Sequence, residues 1–204
     1  MIFIRRATAK PRRLAALPGA FNPPTRAHLA LAHAALASAD EALFVLPRAF
    51  PHKPYTDAPF EDRVNMLTAA VGNEPRFSIA SSHGGLFIDI ARECRQAYGP
   101  GVELLILCGR DAAERAVNWD YGRPGAFRDQ LREYRLLVAP RDGPYRPHPE
   151  FEDRIHALAG VEGCDEVSAT DVRERIRRGE PWKHLVPPRI VELVREIYSK
   201  EGGL

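Results

Sequence analysis

The chain has 204 residues, of which 45% are hydrophobic and 27% are charged, and its formal net charge is +2. This composition predicts a folded core, and so balanced a charge argues against binding to nucleic acid or to a membrane surface. No apolar run approaches the ~18 residues of a membrane span. The three cysteines contain no CxxC pair, which argues against a disulfide framework or zinc site and predicts a cytoplasmic protein.

The first 13 residues are rich in arginine and lysine and lack the long apolar core of a signal peptide. We interpret residues 1–13 as a basic, frayed N-terminal tail, with a loosely attached anion-binding arm as the alternative. Since a chain of this length usually holds one domain, we expect residues 14–204 to form a single domain.

The first strand-to-helix turn of the chain has features of a phosphate site. A short apolar run at 14–17 predicts a buried strand, and the helix formers at 29–36 predict a helix. Between them, Gly19 permits a tight turn, Thr25 is placed to cap the helix, and His28 lies in its first turn. Such a turn presents N–H groups and a positive helix end to an anion.

The same turn, GAFNPPTRAHL at 19–29, resembles the first motif of the nucleotidylyltransferase superfamily, G-x-F-[DN]-P-x-[HT]-x-x-H-L. The resemblance implies that Thr25 and His28 are catalytic. It also implies that the start of the turn binds ATP, through Gly19, Ala20, Phe21 and Asn22. One departure is Ala27, where many members have glycine. The alternative is a plain turn with a capping threonine and a surface histidine.

The next predicted strand, 42–46, ends at Pro47 and opens a proline-rich loop. The pyridine-nucleotide branch of the superfamily has a P-H-[KR] motif in this loop, which Pro51-His52-Lys53 resembles. The resemblance implies that His52 binds substrate and that Lys53 is catalytic. An ordinary solvated loop is the alternative.

An amphipathic helix is predicted over 60–71, with Gly72 as its C-terminal cap. Arg63 lies off its apolar stripe, in an R-x-x-M-L context that resembles the superfamily, which implies substrate binding. A solvated helix arginine is an equally good interpretation. A third strand is predicted at 76–80.

Before the next helix, which is predicted to end near Gly99, the nicotinate branch carries hydroxyl residues that meet the pyridine carboxylate. Here Gly84 and Gly85 stand instead, and their N–H groups would favour a carboxylate. Asp89 would favour an amide if it faced the site. Its position on the polar side of the predicted helix gives the glycines more weight.

The strongest predicted strand, 102–108, ends in Gly109-Arg110-Asp111. A glycine and an acid at a carboxyl edge suit a nucleotide ribose, so Gly109 and Asp111 are predicted to bind ATP. A helix N-cap role for Asp111 is the alternative. The superfamily has G-x-D here and a tryptophan eight positions on that stacks on the pyridine ring, which implies that role for Trp119. A surface anchor is the alternative.

A fifth strand is predicted at 135–139, and the turn after it resembles the V-x-R-P-G of the superfamily, which implies that Arg141 binds substrate. A further short strand is predicted within 161–167. Pro188 is predicted to open a last, structural helix with an apolar stripe.

The segment VSATDVR at 167–173 resembles the second superfamily motif, I-S-[SA]-T-x-[IV]-R. Its hydroxyls can cap a helix and, with free N–H groups and Arg173, form a second anion site. The resemblance implies that Ser168, Ala169 and Thr170 bind ATP and that Arg173 is catalytic. An ordinary capped helix is the alternative.

Alternating strands and helices predict an α/β fold, a Rossmann-like doubly wound parallel sheet of about five strands with helices on both faces and a C-terminal helical segment. The resemblance implies transfer of AMP from ATP to a pyridine mononucleotide, nicotinate mononucleotide first, with Mg²⁺ carried by the triphosphate rather than by protein ligands. The alternatives are a different phosphate-bearing acceptor or a nucleotide-binding module without turnover. An adenylating ligase would need an acceptor domain for which 204 residues leave little room.

Overall fold

A twisted sheet of seven strands forms the centre of the computed structural model, which describes residues 1–49, 58–140, 143, 145–161 and 167–199. The order of the strands across the sheet is β1-β4-β3-β2-β5-β6-β7. Their bounds are β1 Ile2–Arg5, β2 Arg13–Pro18, β3 Glu41–Pro47, β4 Phe77–Ser82, β5 Glu103–Gly109, β6 Arg135–Ala139 and β7 Ile155–Ala157.

Helices flank this sheet, which confirms the predicted α/β fold, although the described residues form seven strands rather than about five. None of the described helices is both long and apolar enough to cross a membrane. The helices are α1 Arg26–Ala35, α2 Phe60–Val71, α3 Phe87–Tyr98, α4 Arg110–Val117, α5 Ala126–Gln130, α6 Ala169–Arg178 and α7 Val191–Tyr198, with 3-10 turns at Pro149–Phe151, Lys183–Leu185 and Pro188–Ile190.

The strand order reverses between β2 and β5, which are parallel neighbours in register from Arg13 opposite Glu103 to Ala16 opposite Ile106. From β2 the chain builds outwards through β3 and β4 on one side, and later through β5, β6 and β7 on the other. In open α/β sheets the crevice at such a reversal, outside the carboxyl ends of the strands, is where ligands bind. The first motif follows β2 and the G-x-D segment follows β5, so the fold brings both to this crevice.

Both faces of the sheet are covered, which is why its central strands are continuous apolar runs. In β3, Leu43 and Val45 belong to a core cluster with α3. Phe44 and Leu46 point to the opposite face, into a cluster with α1 and α2. All seven residues of β3 are buried.

The C-terminal segment packs on the outer side of α2. Met66 and Ala70 of α2 join a third cluster with Ile190, Val194 and Tyr198. The opposite face of α2 packs on the sheet. This arrangement confirms the structural role predicted for the last helix, which begins as the 3-10 turn at Pro188 before α7.

The interpretation of the N-terminal residues as a frayed tail is wrong, because Ile2–Arg5 form an antiparallel edge strand on β4. Phe3 packs edge-on against Tyr98, with ring centroids 5.7 Å apart. Beyond the strand, the Ala7 N–H donates to the Ser78 hydroxyl at 2.8 Å. The edge of β4 offers unpaired backbone groups, and Ile2, Phe3 and Arg5 pair with that edge despite the nearby positive charge.

The last part of the sheet also differs from the prediction. The three-residue strand β7 lies at Ile155–Ala157, before the segment 161–167 where a short strand was expected. Within that segment, residues 162–166 lie outside the described residues, and Val161 and Val167 are not in a strand. Three residues are too few for an alternating pattern to stand out.

Glu41, the first residue of β3, is a buried acid at the end of the strands opposite the crevice. Glu41 is 2% exposed and accepts a hydrogen bond from the Tyr98 hydroxyl. Burial raises the pKa of Glu41, and hydrogen bonds from Ser78 and Tyr98 offset this only in part. Its stabilising contribution is therefore fully present below the unfolded pKa of 4.5 and is lost as the pH rises through the folded pKa.

We expect Glu41→Gln to stabilise the protein at alkaline pH, because the amide keeps an acceptor for Tyr98 without a buried charge. Urea unfolding of the variant and the wild type should give similar midpoints at about pH 4.5 and a higher midpoint for the variant at about pH 8. A difference that is the same at both pH values would contradict a raised pKa of Glu41.

Candidate active site

The loop between β2 and α1 forms the floor of the crevice. Gly19 N–H donates to the Val45 carbonyl at 3.0 Å, and Phe21 has a left-handed φ of +49°. Phe21 is 1% exposed, and its ring meets His28 and Phe44 edge-on at 5.1 and 5.7 Å. A Cβ on Gly19 would lie 3.0 Å from the tip of that ring. A side chain at residue 19 would therefore crowd the Phe21 ring, which would have to shift by a few tenths of an ångström.

Two arginines and a tyrosine hold this loop from other elements. Arg63 of α2, 4% exposed, donates to the Ala20 carbonyl at 3.1 Å. Arg173 of α6 donates to the Asn22 carbonyl at 2.6 Å, and the Tyr198 hydroxyl of α7 donates to Asn22 Oδ1. The Ala20 carbonyl and the Phe21 N–H belong to the same peptide group. Because the N–H and C=O of a trans peptide point in opposite directions, the Phe21 N–H points away from Arg63.

Thr25 and His28 form a reciprocal cap at the start of α1. Thr25 N–H donates to His28 Nδ1 at 2.9 Å, and the Thr25 hydroxyl accepts from the His28 backbone N–H at 3.4 Å. A backbone N–H can only donate, so Nδ1 is the acceptor nitrogen and the ring proton is on Nε2. Burial lowers the pKa of His28 to about 4. His28 is thus a neutral donor through Nε2 at pH 7.

Two adjoining cavities open at the crevice. The first, of about 170 Å³, is lined by Gly19 and Ala20 of the loop, by the start of α3, and by Trp119 and Tyr121. The second, of about 390 Å³, is lined by Thr25 and His28 and by residues that follow β5 and precede α6. The residues that line both are Pro18, Phe87, Ala112 and Arg115.

The second motif lies partly in the second cavity. Ser168 and Ala169 line it, and Ser168 is the N-cap of α6, accepting from the Asp171 N–H at 3.0 Å. Thr170 and Arg173 are not among its lining residues. Their side chains contact each other at 3.4 Å, at the point where Arg173 holds the loop.

The segment after β5 also reaches the second cavity. Gly109 and Asp111 line it, and Gly109 is the N-cap of α4. Asp111 lies in the first turn of that helix, so the alternative of an N-cap aspartate is wrong. Among the described residues, no three metal-ligating side chains cluster.

Two residues of the first motif that were predicted to bind ATP have buried side chains, and their role at ATP stays a prediction. Phe21 and Asn22 are 1% and 2% exposed and line neither cavity. Phe21 supports Gly19 and His28, and Asn22 ties the loop to α6 and α7. Arg63, predicted to bind substrate, is buried and positions the loop through the Ala20 carbonyl.

Gly84 and Gly85, which precede α3, differ in whether they reach the first cavity. Gly84 N–H donates to Glu93 Oε1 at 3.1 Å, which contradicts the expectation that this N–H is available to a substrate carboxylate. Gly85 lines the first cavity. Asp89 accepts from the Leu86 N–H at 3.3 Å and caps α3 rather than facing the cavity.

Trp119 lines the first cavity, and its stacking role stays a prediction. His52, Lys53 and Arg141 lie outside the described residues, and their roles stay predictions. The sequence analysis missed Arg115, although it follows Asp111 by four residues on α4, a spacing that favours one face of a helix.

Comparisons with known proteins agree with this geometry. A sequence model of the cytidylyltransferase-like family matches residues 16–175. A probable nicotinate-nucleotide adenylyltransferase of Moorella thermoacetica is 30% identical, with 91% of this chain and 90% of the relative covered. One of Thermus thermophilus is 29% identical, with 94% and 98% covered.

A solved structure establishes the fold independently. The nicotinic acid mononucleotide adenylyltransferase of Plasmodium falciparum, complexed with NaAD, superposes with a TM-score of 0.73 at 14% identity. The match covers 94% of this chain and 98% of that one.

We expect the His28 ring to remain neutral, with its proton on Nε2, between about pH 5.5 and 8, because burial disfavours the imidazolium. Long-range ¹H–¹⁵N correlation spectra across this range, assigned with His28→Ala, measure both properties. Titration of this ring near pH 6.5 would contradict the neutral-donor assignment.

Proposed function

Because the chain belongs to the cytidylyltransferase-like family and is a nucleotidyltransferase, we propose that it transfers AMP from ATP to a pyridine mononucleotide in NAD biosynthesis. Nicotinate mononucleotide is the preferred acceptor. The observation that carries the proposal is the pair of adjoining cavities, with His28 lining one and Trp119 lining the other. The names of the relatives point to the same acceptor.

ATP occupies the second cavity in this proposal. Asp111 lies where a carboxylate can accept from ribose hydroxyls. The start of α6, with Ser168 and Ala169 at the cavity, offers N–H groups and a positive helix end to the triphosphate. Lys53 is proposed to reach the phosphates. Arg173 contributes to the triphosphate end of the site indirectly, because it holds the Asn22 carbonyl of the loop. Thr170 accepts from the Arg173 side chain.

The acceptor occupies the first cavity. Trp119 and Tyr121 line the part of this cavity that suits a flat pyridine ring, and Gly19 and Ala20 line the part beside the first motif. A ring stacked on Trp119 with its phosphate toward Gly19 points that phosphate at the second cavity. Aromatic stacking contributes ~0.5–1.5 kcal/mol beyond area burial. Roles for His52 and Arg141 at this acceptor belong to the same proposal.

The chemistry needs positioning and charge stabilisation rather than a base. An oxygen of the acceptor phosphate attacks the α-phosphorus of ATP, the bond to the β-phosphate oxygen breaks, and pyrophosphate leaves with the electron pair. The second pKa of a phosphate monoester is about 6, so the nucleophile is already ionised at pH 7. His28 donates from Nε2 to the charge that develops on the phosphates, while Thr25 holds its ring.

Mg²⁺ fits this site as a companion of the triphosphate. Among the described lining residues of the second cavity, Asp111 is the one carboxylate. A single carboxylate suits a cation that is held mostly by phosphate oxygens and water. Bound there, Mg²⁺ would neutralise phosphate charge. The buried, free thiols of Cys94 and Cys108 are consistent with the cytoplasmic location that we propose.

We expect ATP, Mg²⁺ and nicotinate mononucleotide to yield pyrophosphate and a dinucleotide, with a higher kcat/KM than nicotinamide mononucleotide. A panel of phosphate-bearing acceptors, scored for pyrophosphate and product mass, measures this. A clear preference for the amide would overturn the acceptor choice. ATP binding without pyrophosphate release for any acceptor would indicate a binding module instead.

We expect His28→Ala to lower turnover by ~10²–10³, the loss typical of one donor aimed at developing charge, while the fold survives. His33→Ala is the matched control, because His33 lies on the same helix, lines neither cavity and packs on Phe77. Near-normal turnover of His28→Ala, with circular dichroism like that of the wild type, would overturn the assignment.

A further inference from the structure

We propose that Arg115 selects an acceptor whose planar ring carries a carboxylate over one that carries an amide. This inference rests on the proposed function and adds to it a residue that no motif contains. Arg115 lies in α4, between Asp111 and Trp119, and lines both cavities.

The position of Arg115 places it beside the ring end of the acceptor. Ala112 and Ala116 of the same helix also line the first cavity, so one face of α4 forms part of its wall. The two alanines are short and leave room, whereas the arginine is long enough to extend along that wall. Trp119 follows two residues after the end of α4 and lines the same cavity.

The charge of the first cavity is the second observation. Among its described lining residues, Arg115 is the one charged side chain, and the others are apolar, aromatic or glycine. The nearest acids of α3 are engaged elsewhere. Asp89 caps the helix at the Leu86 N–H, and Glu93 accepts from the N–H groups of His83 and Gly84. Arg115 therefore gives the lining of the first cavity one positive charge, while Asp111 lines only the second cavity. A carboxylate can form a bidentate, charge-assisted pair with this guanidinium, whereas an amide offers it one neutral carbonyl oxygen.

Arg115 is also uncommitted within the described part of the chain. It has no hydrogen bond or ion pair there, whereas Arg92 pairs with Glu133 at 3.0 Å and Arg123 pairs with Asp129 at 2.6 Å. An exposed guanidinium can form a planar, bidentate pair with a carboxylate without breaking another contact. Arg115 can therefore discriminate between the two ring substituents in a cavity that Gly85 also lines.

The test compares Arg115→Gln with the wild type on two acceptors that differ only at the ring substituent. Nicotinate and nicotinamide mononucleotides share ring, ribose and phosphate, so the ratio of their kcat/KM values isolates the substituent. We expect a loss of about tenfold for the nicotinate acceptor and a change within about twofold for the nicotinamide acceptor. The KM for ATP should not change. Arg132→Gln, an exposed arginine that lines neither cavity, is the matched control.

Two results would overturn the role of Arg115. An equal loss on both acceptors would assign Arg115 to the shared phosphate, and a raised KM for ATP alone would assign it to the second cavity. Direct binding separates this inference from the proposed function. Quenching of tryptophan fluorescence by nicotinate mononucleotide, without ATP, should weaken in Arg115→Gln even if the wild type turns over no pyridine acceptor. Unchanged quenching in the variant would refute the inference by itself.

Discussion

The site depends on the way two arginines hold the backbone of one loop. Arg63 and Arg173 come from helices more than a hundred residues apart in sequence, and each donates to a carbonyl of the turn after β2. A hydrogen bond from a charged donor contributes ~1.5–3 kcal/mol, and leaving a buried guanidinium without such a partner costs more. The Ala20 and Asn22 carbonyls are therefore held in place by the buried Arg63 and the half-buried Arg173. This makes the geometry of the crevice a property of the tertiary structure rather than of the loop alone.

The same arrangement explains why the C-terminal segment belongs to the catalytic unit. Tyr198, at the end of α7, is buried against α2 and donates to the Asn22 side chain. The α2 helix thus has two tasks, because one face packs on the sheet while Arg63 reaches the loop. Loosening the C-terminal cluster would release Asn22 before it disturbed the sheet. The C-terminal segment from 183 to 198 lines neither cavity, yet it holds the loop that leads to Thr25 and His28.

Sequence was sufficient for the fold class and for the motifs, because both rest on local patterns. The apolar run of β3 and the caps at Thr25 and Ser168 are readable from neighbours in the chain. The errors concern partners distant in sequence. The N-terminal residues were judged by their charge, but the open edge of β4 decides their structure. The Gly84 N–H was judged available, yet Glu93 of the next helix takes it. Helical periodicity placed Arg63 off the apolar stripe without showing that it would turn inward.

In the proposed function, the transfer step depends on residues of the two motifs, whereas recognition of the acceptor ring depends on a residue outside them. This difference follows from what each part of the reaction requires. Phosphoryl transfer needs donors at fixed positions, so its residues sit at strand ends and helix starts, where backbone geometry sets them. The Phe21 ring, for instance, lies close against Gly19 and at the same time packs on His28. In the proposed function, recognition of the ring substituent needs only a charge on the wall of the first cavity. Arg115 can supply that charge from one face of α4, away from the strand ends and helix starts that hold the motif residues.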